Sequence, residues 1–272
     1  MPRAAFARGS LRGGRRVTMR WPPRPEARGF SLLEVAIALV VLALALTALA
    51  VPLGAQVHAR RVDEARRQLA DARDAVLGFA AAHGRLPCPA TPSSRGQEAF
   101  AAGGDATNGR CADFHGGYLP AAALGLSPLD DEGLLRDPWV ATANRVRYAV
   151  HSGTINAVPQ ALTRAGGMAQ ATLAGLGAAP HYLHVCASGE HAAAGACGPA
   201  ANQLTRRAAF VLLSLGANAS AQPAAGSDEA ANLDGDDAFV SHEPSEGGFD
   251  DLLDWGSIHM VIHRLVAAGR LP

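Results

Sequence analysis

Glu34 is the one ionisable residue in an apolar run of 22 residues, Phe30 to Val51, and it stands near the start of that run. A carboxylate inside a bilayer costs about 2.5–3.5 kcal/mol on insertion scales, and ionisable groups in such segments are functional candidates by default. A buried charge there needs a partner of opposite sign, because an uncompensated one is strongly destabilising. A second set of oxygens lies far downstream, in Asn232-Leu233-Asp234-Gly235-Asp236-Asp237, Gly247-Gly248-Phe249-Asp250-Asp251 and Asp254-Trp255. Gly-rich acidic turns supply the oxygens that calcium takes, six to eight at a time. Asp234, Asp236, Asp237, Asp250 and Asp251 are the candidate ligands, although they lack the twelve-residue EF-hand spacing and its final Glu; a solvated acidic turn is the alternative.

Cys88, Cys111, Cys186 and Cys197 offer sulfur chemistry of two kinds. An even number in an oxidising compartment points to disulfides, with three pairings open. The local one, Cys88–Cys111 with Cys186–Cys197, would pin two Gly-rich loops. The rival is a zinc site using His181, His184 and His191 beside Cys186, at a spacing that matches no common zinc pattern. No Gly-rich phosphate loop precedes a basic residue, and no Gly-x-Ser-x-Gly elbow is present. Asp130, Asp131 and Glu132 read as an exposed turn, and His242 and His259 as isolated structural histidines. The expectation is that the chain is not an enzyme.

These groups must be positioned by three regions. Residues 1–29 hold eight arginines, one Glu and Pro22, Pro23 and Pro25, and should be unstructured. They leave 16 arginines against 23 acids in the remainder, a net −7, and the chain has no Lys. An acidic body argues against a nucleic-acid partner, and the basic leader stays cytoplasmic by the positive-inside rule. Met19 is an alternative start to Met1. The run 30–51 is about 33 Å long as a helix, enough for a bilayer core of ~30 Å. Over 52–83 the pattern turns amphipathic: Val62, Ala65, Leu69, Ala72, Val76 and Phe79 form one stripe between charged residues. Pro52 sits at the join, where a kink is expected, and Gly84 with Pro87 and Pro89 ends the helix.

Residues 84–272 read as a globular domain, loop-like from Pro87 to Gly117. Strands are expected at Val146–Val150, Tyr182–Cys186, Ala209–Leu215 and Ala238–Ser241, and a C-terminal helix through Ile258, Val261, Ile262, Leu265 and Val266. One long helix followed by a small sheet is an α+β arrangement, with the sheet covering the helix's apolar stripe.

Arg28-Gly29-Phe30-Ser31-Leu32-Leu33-Glu34-Val35 resembles the cleavage and methylation site of type IV prepilins and type II secretion pseudopilins. In that family a Gly, then Phe, a short apolar run and Glu at the fifth mature position define the site, which matches Gly29, Phe30 and Glu34. The resemblance implies an α+β pilin-like fold: a long N-terminal helix, transmembrane in its first half, packed on a small antiparallel sheet domain. It also implies cleavage after Gly29 by a prepilin peptidase, a mature Phe30 N-terminus open to methylation, and a Glu34 that compensates a neighbour's ammonium in a filament. The partners would be other pilin or pseudopilin subunits, the peptidase and the inner membrane, with 84–272 periplasmic and no cofactor required. An ordinary secretory signal cut at Ala48-Leu49-Ala50, or an uncleaved anchor for an exported binding or enzymatic domain, is the competing reading. Ser214-Leu215-Gly216-Ala217-Asn218, the acidic loop and Asp254-Trp255 look like the C-terminal loop of major pseudopilins, which binds calcium in that subfamily. Asp137-Pro138-Trp139 with Arg147-Tyr148 resembles another of their segments. Asn218 departs from the pattern, standing where Asp is common.

Overall fold

The computed structural model describes residues 29–139, 144–191, 196–219, 222–244 and 248–272, with no side-chain description for 47–55 and 191. The chain divides between Leu53 and Gly54 into two units. Helix α1 (Leu32–His83) contributes to both.

In the first unit every described side chain from Phe30 to Leu46 is exposed, Phe30 at 85%. Fifteen residues from Leu32 to Leu46 rise only about 22 Å, and among the described residues no helix is long and apolar enough to cross a membrane. The span expected over 30–51 would be completed by 47–51, whose side chains lie outside the described residues. The kink expected at Pro52 lies there too.

The second unit is built on the apolar stripe of α1. Ala65, Leu69, Ala72 and Val76 are buried as the spacing predicts, joined by Leu77 and Ala80. Val62 packs at the margin, and Phe79 is half-exposed, stacked on His83 and lying under the Arg85 guanidinium. Gly84 takes φ +70° and donates to the Ala80 carbonyl at 2.7 Å, the left-handed stop that glycine supplies best. Two more of the helix's last carbonyls are capped from the far end of the chain: Arg270 Nε donates to Ala81 O at 3.2 Å and its Nη2 to Ala82 O. Leu271 is buried in the same core.

Five strands form one sheet: β1 (Arg147–Val150), β2 (Leu183–Cys186), β3 (Gln203–Ser214), β4 (Ala238–Val240) and β5 (Leu252–Ser257). The twelve-residue β3 is its spine. β1 pairs antiparallel with its second half (Tyr148↔Leu212), β2 with its first (Leu183↔Ala208), and β5 along Ala208–Ser214 (Val211↔Trp255). β4 joins β2 in parallel, Val185↔Phe239, so the sheet is mixed and corrects the all-antiparallel expectation. The four expected strands are present, with β3 beginning six residues earlier, and β5 is additional. Tyr148, Val150, Phe210 and Leu212 lie in the same core as the α1 stripe, along with Ile258, Val261 and Leu265 of the expected C-terminal helix. That helix, α5 (Ile258–Ala267), follows three short ones: α2 (Gly167–Ala171), α3 (Leu173–Ala178) and α4 (Asp228–Ala231). Ala149, Val211, Leu183, Val185 and Phe239 form a second cluster, packed by Leu253 and Trp255 of β5.

Residues 84–139 are mostly loop, fastened by specific bonds. Arg85, buried to 6% exposure, holds Glu98 by two bonds (Nη1–Oε1 2.6 Å, Nη2–Oε2 2.7 Å), and Glu98 also accepts the Cys88 N–H. Bidentate geometry with a further donor satisfies both buried charges. The disulfides are Cys88–Cys111 and Cys186–Cys197, Cα atoms 5.3 and 5.2 Å apart, the local pairing of the three. No described cysteine is left for zinc. His181 and His184 stand as a tilted ring pair, and the side chain of His191 lies outside the described residues.

Candidate functional site

Two places carry the residues singled out above. At the first, Gly29, Phe30 and Ser31 are non-helical and α1 starts at Leu32. Ser31 N–H donates to Glu34 Oε2 at 3.0 Å, and Glu34 N–H donates to Ser31 Oγ at 3.2 Å. This reciprocal pair is a capping box: it satisfies backbone donors that the first helical turn leaves free. The carboxylate also faces the positive end of the helix dipole. Glu34 thus has an intrachain role that the sequence reading above does not include, although Ser-x-x-Glu before an apolar run is its signature. Around Gly29 a Cβ would meet nothing within 4 Å. Among the described residues nothing requires glycine at this position.

The second place gathers the segments of the pseudopilin resemblance at the far end of β3 and the start of β5. Asp137 Oδ1 accepts the Trp139 N–H at 3.3 Å, and Oδ2 accepts the Ser214 hydroxyl. Asn144 donates to the Gly216 carbonyl at 2.6 Å. Gly216 has φ +66°, and a Cβ there would lie 2.1 Å from Asp250 Oδ1, so the turn demands glycine twice over. The backbone N–H groups of Ala217 and Asn218 donate to Asp250 Oδ2 at 2.8 and 3.1 Å.

Glu229, Asp250 and Asp251 bring carboxylate oxygens within 4.8 Å of one another. Glu229 Oε1 accepts from Asn218 Nδ2 at 2.7 Å and from the Asp250 N–H at 3.1 Å. Asp251, 3% exposed, accepts from Asn232 Nδ2 at 2.8 Å; Asn232 in turn bonds both backbone groups of Val240 in β4. Asp250 Oδ1 is buried without a hydrogen-bond partner among the described residues. Burial pushes the Asp251 carboxyl up to about 7, with Glu229, Asp250 and Asp137 adding repulsion against the Asn232 bond. Burial likewise raises Asp137 to about 6, opposed by its Ser214 and Trp139 bonds, and raises Asp250 against its two backbone donors. The arrangement is a set of converging carboxylates in which burial disfavours the ionised forms of Asp250 and Asp251.

Of the five expected calcium ligands, Asp250 and Asp251 come together, and Glu229 joins them. Asp234 and Asp236 instead accept local turn bonds, from the Asp236 N–H at 3.0 Å and the Ala238 N–H at 2.7 Å. Asp237 gives its backbone carbonyl to His184 N–H at 2.8 Å. Asp254 pairs with Arg73 of α1 at 3.0 Å. Glu229 escaped the sequence reading because it lies outside the Gly-rich runs. Its signal was the helix start at Ser227, whose Oγ accepts the Ala230 N–H, with acids following.

Comparison with curated proteins and with solved structures returns no match. Residues 24–50 match the family model described as the prokaryotic N-terminal methylation motif, the type IV prepilin and pseudopilin signature, and this marks the chain as a pilin- or pseudopilin-like precursor.

Proposed function

We propose that the chain is the precursor of a structural subunit of a type IV pilus-like or type II secretion filament, cut after Gly29 by a prepilin peptidase. The observation that carries this reading is the motif at 24–50, with Gly29 and Phe30 in non-helical backbone and Glu34 at the fifth position after the cut. In this reading Phe30 becomes the mature N-terminus, and residues 30–51 anchor the subunit in the inner membrane. The leader stays cytoplasmic, and the disulfide-bonded domain lies in the periplasm. In the assembled filament Glu34 compensates a neighbour's N-terminal ammonium. Sequencing the mature N-terminus from cells with and without the peptidase tests the reading. A peptidase-dependent start at Phe30 is expected; a start at Val51 would make the run an ordinary signal and the chain an exported binding or enzymatic domain.

A calcium ion at the acidic loop is the second part of the proposal. Three carboxylates converge there, one with a buried oxygen lacking any partner, and a hard cation supplies the charge they lack. Glu229, Asp250 and Asp251 would hold it, and its role would be to fix the loop against the end of β3.

A further inference from the structure

We propose that Ser31 is a positioning residue for the cut after Gly29, an inference that rests on the processing reading above. Hydrolysis adds water across the Gly29–Phe30 amide. The C–N bond breaks, Gly29 leaves as a carboxylate, and the Phe30 nitrogen takes a proton to become an ammonium. The attacking nucleophile must reach the Gly29 carbonyl carbon. In a helix that carbonyl would accept the Leu33 N–H and be wrapped by the next turn. Here the first helical bond runs from the Val35 N–H to the Ser31 carbonyl at 3.1 Å, so Gly29 lies two residues before the capping Ser31 and outside the helix.

Although the Pro- and Gly-rich leader as a whole reads as unstructured, residues 26–28 have the propensity to join the helix. Glu26, Ala27 and Arg28 favour helix, and Pro25 is tolerated in a first turn. Gly29, which disfavours helix, and the box made by Ser31 with Glu34 oppose extension through the scissile bond. Ser31 supplies both halves of that box, its hydroxyl as acceptor and its N–H as donor. It therefore sets the register at which an apolar helix begins two residues past the cut.

The experiment follows cleavage of the full-length precursor in inner-membrane vesicles carrying the peptidase, by mobility shift and N-terminal sequencing. Carbonate extraction checks that each variant is inserted. Ser31→Ala slows cleavage several-fold, up to the roughly fivefold factor that loss of an N-cap supplies. The loss appears in KM while kcat holds, because a smaller fraction of substrate is cleavage-competent. Ser31→Asn, an equally good cap, restores the wild-type rate. Wild-type cleavage of Ser31→Ala overturns the proposal. So does a Ser31→Asn variant as slow as Ser31→Ala, since the peptidase would then be reading the hydroxyl itself. If the wild-type chain is not cut after Gly29 at all, the processing reading fails instead.

Discussion

Asp251 holds its proton at a pH where ordinary carboxylates have lost theirs, and this sets a pH dependence that can be read in melting curves. Its carboxyl sits at about 7 and that of Asp137 at about 6, both above the unfolded value of 3.8, so the folded state binds more protons between those limits. Their contribution is full below pH 4 and is lost as pH rises through 6 and 7. His151 works in the opposite sense: burial, with repulsion from His181, His115 and His184, lowers it to about 4, so its contribution is lost as pH falls from 6.5 towards 4. The two slopes oppose each other below pH 6.5, and above it the carboxylate slope stands alone. The melting temperature in EDTA is therefore expected to fall between pH 6 and pH 8. Asp251→Asn keeps the Asn232 bond and removes the charge. It should stabilise the domain by on the order of 4 kcal/mol at pH 8, by less than half of that at pH 5, and hardly at all near pH 3. Calcium should raise the wild-type melting temperature at pH 8 and leave that of Asp251→Asn almost unmoved. A wild-type curve indifferent to pH and calcium alike would make the loop a solvated turn.

At the scale of elements, β5 shows why part of the sheet was hidden in the sequence. Leu252, Asp254 and Gly256 alternate with Leu253 and Trp255, so one face of the strand reads Leu, Asp, Gly. On that face Asp254 is paired with Arg73 of α1, and Gly256 makes room for the Phe210 ring of β3. Neither residue looks like core until its partner is known. The expected strands were legible because each had an apolar stretch of its own, whereas the first half of β3, Gln203–Arg207, is polar and extended by pairing with β2. The α1 stripe was legible throughout, since a period of 3.6 needs no partner to be recognised. The acidic site was half legible: Asp250 and Asp251 stand in a Gly-rich run, but Glu229 arrives from a separate helix start. The Gly256–Phe210 contact is testable. A Cβ at Gly256 would lie 2.2 Å from the ring, so Gly256→Ala should cost about 1–3 kcal/mol. That lowers the melting temperature by roughly 2–12 °C for a domain of this size. Adding Phe210→Leu should recover part of the loss; equal melting for Gly256→Ala and wild type would mean the ring shifts freely.

For the molecule as a whole, charge and redox chemistry separate the ends of the chain. The eight arginines before Phe30 balance an acidic body, and the four cysteines are paired far from them in sequence. Both bridges close short loops, so loop-entropy arguments assign about 3 kcal/mol to each, the 23-residue separation exceeding the 11-residue one by about 0.6 kcal/mol. Replacing Cys88 and Cys111 by Ser should therefore destabilise the disulfide-bonded domain at least as much as replacing Cys186 and Cys197, as measured by urea unfolding; the reverse order would show that native contacts, and not loop closure, dominate. Arg270 and Leu271 add a consequence for timing. Arg270 caps the end of α1, and Leu271 completes the core that α1 begins. The earliest helix of the domain thus lacks part of its packing until Arg270 and Leu271 have been synthesised and, under the proposed topology, delivered to the same side of the membrane. Under the proposed topology the domain is threaded across unfinished, and its folding waits for Arg270 and Leu271 to cross.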